Sequence, residues 1–219
     1  PGKVSVTSTT PAGIEVGTYG PVGDGVTLSY SRRAQLGTFF LGFDMANVPK
    51  PVRQAFAHAV NQASLVENVF KDRAETAAHL VPPAIFPGGA EAYASHAQDY
   101  PYGLASSGLD RARRVMEEAG YGPAERFSLT WTGLPPSVWS AMGNVVRDQV
   151  ASAHIDLTLE TASFATLAQR ARTGSLGVFT LGWFADYPAP QNFLHLLNPP
   201  ETDTSEPNPE CWDFFAPYI

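Results

Sequence analysis

Between residues 182 and 193 the chain reads Gly182-Trp183-Phe184-Ala185-Asp186-Tyr187-Pro188-Ala189-Pro190-Gln191-Asn192-Phe193. One carboxylate, Asp186, stands among the aromatic side chains of Trp183, Phe184 and Tyr187, after an apolar run and before two prolines. A carboxylate at the end of a strand, ringed by aromatics, can hold a cation or an amine while the rings cover apolar parts of a ligand. The same spacing also suits a structural turn, with Trp183 and Tyr187 in the core and Asp186 capping the backbone ahead of Pro188. A third chemistry pairs Asp186 with His195 as general acid and base in an α/β hydrolase-type domain. Against that pairing, no nucleophile motif lies beside the two residues, and Pro188 and Pro190 intervene.

Other reactive signatures are missing from the sequence. It holds no G-x-S-x-G elbow, no H-E-x-x-H pair, no Walker loop and no EF-hand loop. The histidines His58, His79, His96, His154 and His195 are not spaced to share a helix face, which argues against a metal site built from local ligands. His58 reads as solvated, on the flank of its helix away from the apolar stripe. Gly23 and Gly25 begin like a dinucleotide loop, but the third glycine and the following helix are absent, so a turn is expected and no cofactor. The single cysteine, Cys211, excludes an internal disulfide.

The 219 residues suit one large domain or two small ones. Charged residues make up 16% and the net charge is −7, which speaks against a broad nucleic-acid footprint. No apolar run approaches the roughly 18–20 residues of a membrane span. The chain starts at Pro1 and finishes on Cys211-Trp212-Asp213-Phe214-Phe215-Ala216-Pro217-Tyr218-Ile219. An aromatic, apolar ending is unusual for a free terminus, so the chain is expected to be a piece of a longer protein.

The elements that must carry the aromatic cluster follow from periodicity. Residues 3–44 read as β-rich, with alternation at Val4–Val6, Ile14–Val16 and Val26–Tyr30 and an apolar run at Phe39–Phe43. Val52, Ala55, Phe56, Ala59 and Val60 give a helix face, and Leu65–Phe70 continues after Asn61, a possible cap. Residues 81–108 read as a long loop rich in Pro and Gly. Leu109–Ala119 is an amphipathic helix stopped by Gly120, with Arg113–Glu117 and Arg114–Glu118 as i,i+4 pairs on its solvated face. Phe127–Trp131 is a strand; Pro135-Pro136 opens a helix through Val150; Ile155–Glu160 is a strand. Ser163 caps a helix bearing Phe164, Leu167, Ala168 and Ala171; Val178–Trp183 is a buried-type strand; Asn192–Leu197 is a short helix. Strands alternating with helices from residue 39 onward indicate a mixed α/β sheet flanked by helices.

At Gly182–Leu194 the sequence resembles the large extracellular solute-binding proteins of ABC importers, the oligopeptide/dipeptide-binding type (family 5), which carry a Gly-Trp pair, an Asp-Tyr-Pro-x-Pro turn and Asn-Phe-Leu. Three further blocks agree in order. Phe39–Asp44 followed by Val52–Asn61 resembles the family's strand and its V-R-x-A helix. Asp110–Tyr121 resembles its D-x-x-x-A-x-x-L-L-x-E-A-G-Y helix. The helix at Val138–Ser152 then leads to the strand at Ile155–Glu160, as the family's order requires. Asp44, Asn61, Lys71-Asp72-Arg73 and Ala189 depart from the family pattern.

The resemblance implies one ligand-binding lobe of a bilobal, periplasmic-binding-protein-like fold, with residues 1–38 as a β-rich leading segment and 198–219 as a tail returning to the other lobe. It implies capture of a small solute, a short peptide by the family's usual cargo, outside the cytoplasm, and delivery to ABC-transporter permease subunits without catalysis. In peptide-binding relatives the Asp matching Asp186 pairs with the ligand's α-amino group and the Trp matching Trp183 lines a side-chain pocket. Phe184 and Tyr187 are expected beside them. A monomer, held at a membrane only through an anchor outside the chain, completes the expectation. The rivals are the Asp186/His195 enzyme and a structural domain that keeps the fold without binding solute.

Overall fold

The computed structural model describes residues 3–9, 14–71, 73–102, 104, 108–135 and 137–194. His195, Cys211 and the expected tail at 198–219 lie outside the described residues. The chain divides into two compact units, 1–36 and 37–219.

In the first unit the alternating segments form β1 (Lys3–Thr9), β2 (Glu15–Gly20) and β3 (Leu28–Arg32). They pair antiparallel in sequence order as a three-stranded sheet. The Gly-rich stretch that could have begun a dinucleotide loop is a 3-10 turn at Gly23–Gly25, in which Asp24 takes a left-handed conformation.

The second unit is built on a four-stranded mixed sheet, ordered β4 (Gly37–Phe43), β7 (Val178–Phe184), β5 (Phe127–Gly133), β6 (Ile155–Thr161). β5 runs parallel to both β6 and β7, and β4 runs antiparallel to β7. Alternation along each strand gives the sheet two apolar faces, and helices cover both. On one face Leu129, Trp131, Ile155, Leu157 and Val178 pack against buried residues of α1 (Lys50–Ala59), α4 (Leu109–Glu118) and α5 (Ser137–Ala151), among them Phe56, Met116 and Val146. On the other, Phe179 and Leu181 pack with Leu167 and Ala171 of α6 (Phe164–Arg172).

Local chemistry sets the helix ends. Pro51 sits in the first turn of α1, where a missing N–H costs nothing. Asn61 caps α2 (Gln62–Leu65), its Oδ1 accepting from the Ser64 N–H at 3.0 Å. A π turn at Val66–Phe70 follows directly. Ser163 caps α6 through the Thr166 N–H at 3.2 Å. The turn from β4 to α1 hangs on Asp44, buried to 2% exposure. Its Oδ1 accepts from the Ala46 N–H at 2.9 Å and its Oδ2 from Asn47 Nδ2 at 2.7 Å. Asn47 Nδ2 also donates to the carbonyls of Gly174 and Leu176, tying this turn to the one that starts β7.

Three sequence expectations need correction. Within the stretch expected as a loop, residues 83–85 form a 3-10 turn and α3 spans Gly89–Ala97. This helix buries only Tyr93; it is carried by alanine propensity rather than by an apolar stripe, so periodicity does not reveal it. The expected i,i+4 pairs of α4 are not formed: Arg113 turns to the Ser152 carbonyl at 2.8 Å and to Asp110 at 3.9 Å, while Glu117 faces His154 at 3.5 Å. His58 is half-buried instead of solvated, because the segment before α4 folds across α1. Tyr102 meets its ring edge-on at 4.8 Å, and the Gly108 N–H donates to its carbonyl at 2.7 Å.

Candidate solute-binding site

The register of the sheet decides where Asp186 stands. β7 meets β5 only at Val178 and Phe179, yet pairs with β4 along its whole length, from Val178↔Phe43 to Phe184↔Gly37. Its second half therefore projects past β5 as a two-stranded ribbon, at the carboxyl ends of the parallel strands. In open α/β sheets that edge is where ligands bind.

The ribbon is tight. Gly182 lies opposite Phe39 and Gly42 opposite Phe179, each phenyl ring lying over the glycine across the strand pair. A Cβ at Gly182 would come within 2.4 Å of the Phe39 ring, and one at Gly42 within 2.2 Å of the Phe179 ring. The glycines let aromatic side chains lie flat against the backbone that delivers the cluster.

Beyond Phe184 the chain makes a short turn into α7 (Gln191–Leu194). Phe193, fully buried, anchors the far side of the turn. Asn192, 3% exposed, closes it: its Oδ1 accepts from the Trp183 indole N–H at 2.8 Å and from the Asp186 backbone N–H at 3.1 Å. One buried carbonyl thus fixes both the Trp183 ring and the backbone of Asp186. The Asp186 side chain is exposed. Among the described residues its carboxylate makes no hydrogen bond and no ion pair, and it caps no backbone group. The capping side chain in this turn is Asn192, acting from the opposite direction.

The four singled-out residues separate by face. Trp183 is half-buried and joined to Asp186 through Asn192. Phe184 projects from the other face of the ribbon, 50% exposed, with its ring edge-on to Phe39 at 5.6 Å. Phe39 in turn meets Trp139 at 5.1 Å and stacks with Phe70 at 6.4 Å. Tyr187 follows Asp186 and is 51% exposed. Asn192, Phe39, Phe70 and Trp139 are not among the site residues that the sequence alone marks. An amide inside the apolar triplet Asn192-Phe193-Leu194 was the available sign for the first; the others are joined only by the fold. His195 lies outside the described residues. Among the described residues no cluster of three His, Cys, Asp or Glu could hold a metal ion, and no helix is long and apolar enough to cross a membrane.

Comparison with known proteins gives a consistent result. Residues 9–205 match the family model described as bacterial extracellular solute-binding proteins, family 5 Middle. The chain is 26% identical over 171 residues to heme-binding protein A of Haemophilus influenzae, covering 74% of this chain and 29% of the relative. It is 25% identical over 152 residues to the dipeptide-binding protein of Escherichia coli, covering 67% of this chain and 26% of that protein. The chain therefore spans under a third of the length of these curated relatives. Its fold is shared by the murein tripeptide-binding protein MppA of Escherichia coli, with a TM-score of 0.64 at 23% identity, over 75% of this chain and 32% of that one. The same holds for Haemophilus influenzae OppA in complex with the peptide RPPGFSPFR, with a TM-score of 0.63 at 18% identity, over 74% and 32% of the two chains.

Proposed function

Because the chain belongs to family 5 of the bacterial extracellular solute-binding proteins, we propose that it supplies one lobe of a peptide receptor serving an ABC importer. Asp186 anchors the α-ammonium of the solute, Trp183 lines the adjoining side-chain pocket, Tyr187 covers apolar parts of the ligand, and Phe184, on the other face of the ribbon, can meet only parts of the ligand that reach around it. The observation that carries this reading is the exposed Asp186 carboxylate, without a protein partner among the described residues, on a residue whose backbone N–H is held by Asn192 at the ligand edge of the sheet. A carboxylate set on a buried scaffold but left unpaired is suited to receive a charge-assisted bond from an ammonium.

In the complete protein a second lobe closes over the solute by hinge motion, removing water from that bond. The loaded receptor, monomeric and outside the cytoplasm, then docks on permease subunits. No bond in the solute is made or broken. The curated and structural relatives named for peptides support the choice of solute. The test is calorimetric titration of the complete protein with a small library of di- and tripeptides and their N-acetylated forms. At least one free peptide is expected to bind at least about tenfold more tightly than its acetylated form, the loss of one charged contact. Equal binding of the two forms throughout the library would reject the ammonium anchor.

A further inference from the structure

At the other end of β4 lies a cavity of about 330 Å³, between the strand's exit and the first turns of α1. That volume is at the lower end of the roughly 300–1,000 Å³ usual for small-molecule sites. Its apolar wall is formed by Leu41 and Phe43, Tyr102 adds an aromatic ring, and Lys50, Arg53 and Gln54 supply its polar atoms. Among the described residues no acidic one lines it. The Nη1 atom of Arg53 is fully buried and has no hydrogen-bond partner among the described residues. A cationic donor removed from water without an acceptor is costly, and here a second cation, Lys50, stands on the same helix. The first turn of α1 adds to the positive field, since it carries no acidic residue and no side-chain cap.

This cavity is not part of the Asp186 site. It adjoins Phe43, which pairs with the start of β7, whereas Asp186 follows the end of β7 opposite Gly37. The seven residues of β4 separate the two by about 20 Å of extended strand. The chain passes into β4 at Gly37 and out of β7 at Phe184, both remote from the cavity.

We propose that this cavity binds a small amphiphilic carboxylate, independently of the transported solute. The carboxylate takes the accessible edge of the Arg53 guanidinium, with Lys50 as a second positive charge, and its negative charge lies near the unpartnered Nη1 behind that edge. The apolar body lies against Leu41, Phe43 and Tyr102. A bare inorganic anion would leave that wall unused.

The probe is para-fluorophenylacetate, followed by fluorine NMR line width on the complete protein, with para-fluorophenylacetamide as the uncharged control. Saturable broadening by the acid is expected, with the amide at least about tenfold weaker. Arg53→Gln should weaken the acid at least about tenfold, and the exposed Lys50→Gln about threefold. An excess of a peptide bound by the protein should not displace the probe. Should Arg53→Gln fail to fold, the Lys50→Gln titration carries the decision. Absence of saturable binding, equal binding of acid and amide, indifference to both substitutions, or displacement by peptide would each overturn the proposal.

Discussion

Asn192 is the residue on which the candidate site turns, although no ligand atom need touch it. Its Oδ1 accepts from both Trp183 and Asp186 in a part-buried turn, so Asn192→Ala removes the acceptor that the two donors share. We expect the complete protein to lose about 1–3 kcal/mol of stability, about 0.5–1.5 kcal/mol for each hydrogen bond removed. Peptide affinity should fall as well, because the indole and the Asp186 backbone lose their common support. A urea melt beside a peptide titration checks both; intact affinity in a folded Asn192→Ala protein would mean that the turn is held by other contacts. The sequence makes the charged group legible but not its support. Asp186 stands out as a lone acid among aromatics, whereas an asparagine in a short helix has no distinguishing pattern until Phe193 is seen to be buried. The burial of His58 is hidden from the sequence for the same reason. Its partners, Tyr102 and Gly108, are far along the chain, and only the fold brings them onto α1.

At the scale of elements, the strands and the strongly amphipathic helices were readable because period and burial coincide, as in α1 and α4. α3 was not, because an alanine-rich helix with one buried residue has no apolar stripe to read. The β4–β7 ribbon carries its own test. Phe179 is fully buried above Gly42, and a Cβ there would meet three atoms of its ring at 2.2–2.7 Å. Gly→Ala in a strand would otherwise gain a little from reduced freedom of the unfolded chain; here the enclosed ring cannot move aside. Gly42→Ala should therefore destabilise by about 1–3 kcal/mol, as overpacked cores do. Gly23→Ala, with nothing within 4 Å, should stay within about 0.5 kcal/mol of the parent. Chemical denaturation of the two variants separates them, and similar small losses would show that the ribbon is looser than the register implies.

For the molecule as a whole, pH acts on stability through His58. Burial holds its imidazole below the ordinary value of 6.5, and the Arg111 guanidinium pushes the same way. Above 6.5 the folded and unfolded forms are both neutral at this residue, so it adds no pH dependence there. As the pH falls below 6.5 the unfolded chain takes up the proton first, and stability is lost until the folded form protonates as well. The difference in melting midpoint between wild type and His58→Gln should shrink on acidification in favour of the variant. A difference constant from pH 7.5 to about 5 would show that His58 does not titrate differently on folding.

The central claim, that solute is anchored by its ammonium on Asp186, is tested most directly by a double cycle on the complete protein. Wild type and Asp186→Asn are each titrated with a bound peptide and with its N-acetylated form. The substitution keeps the size of the side chain and much of its hydrogen bonding, so the loss reports charge pairing. The account expects Asp186→Asn to cost the free peptide about 2–3.5 kcal/mol, the lower half of the range for a broken buried pair. It also expects the acetylated peptide to bind both proteins nearly alike. Equal losses for the two ligands, or no loss for either, would contradict it.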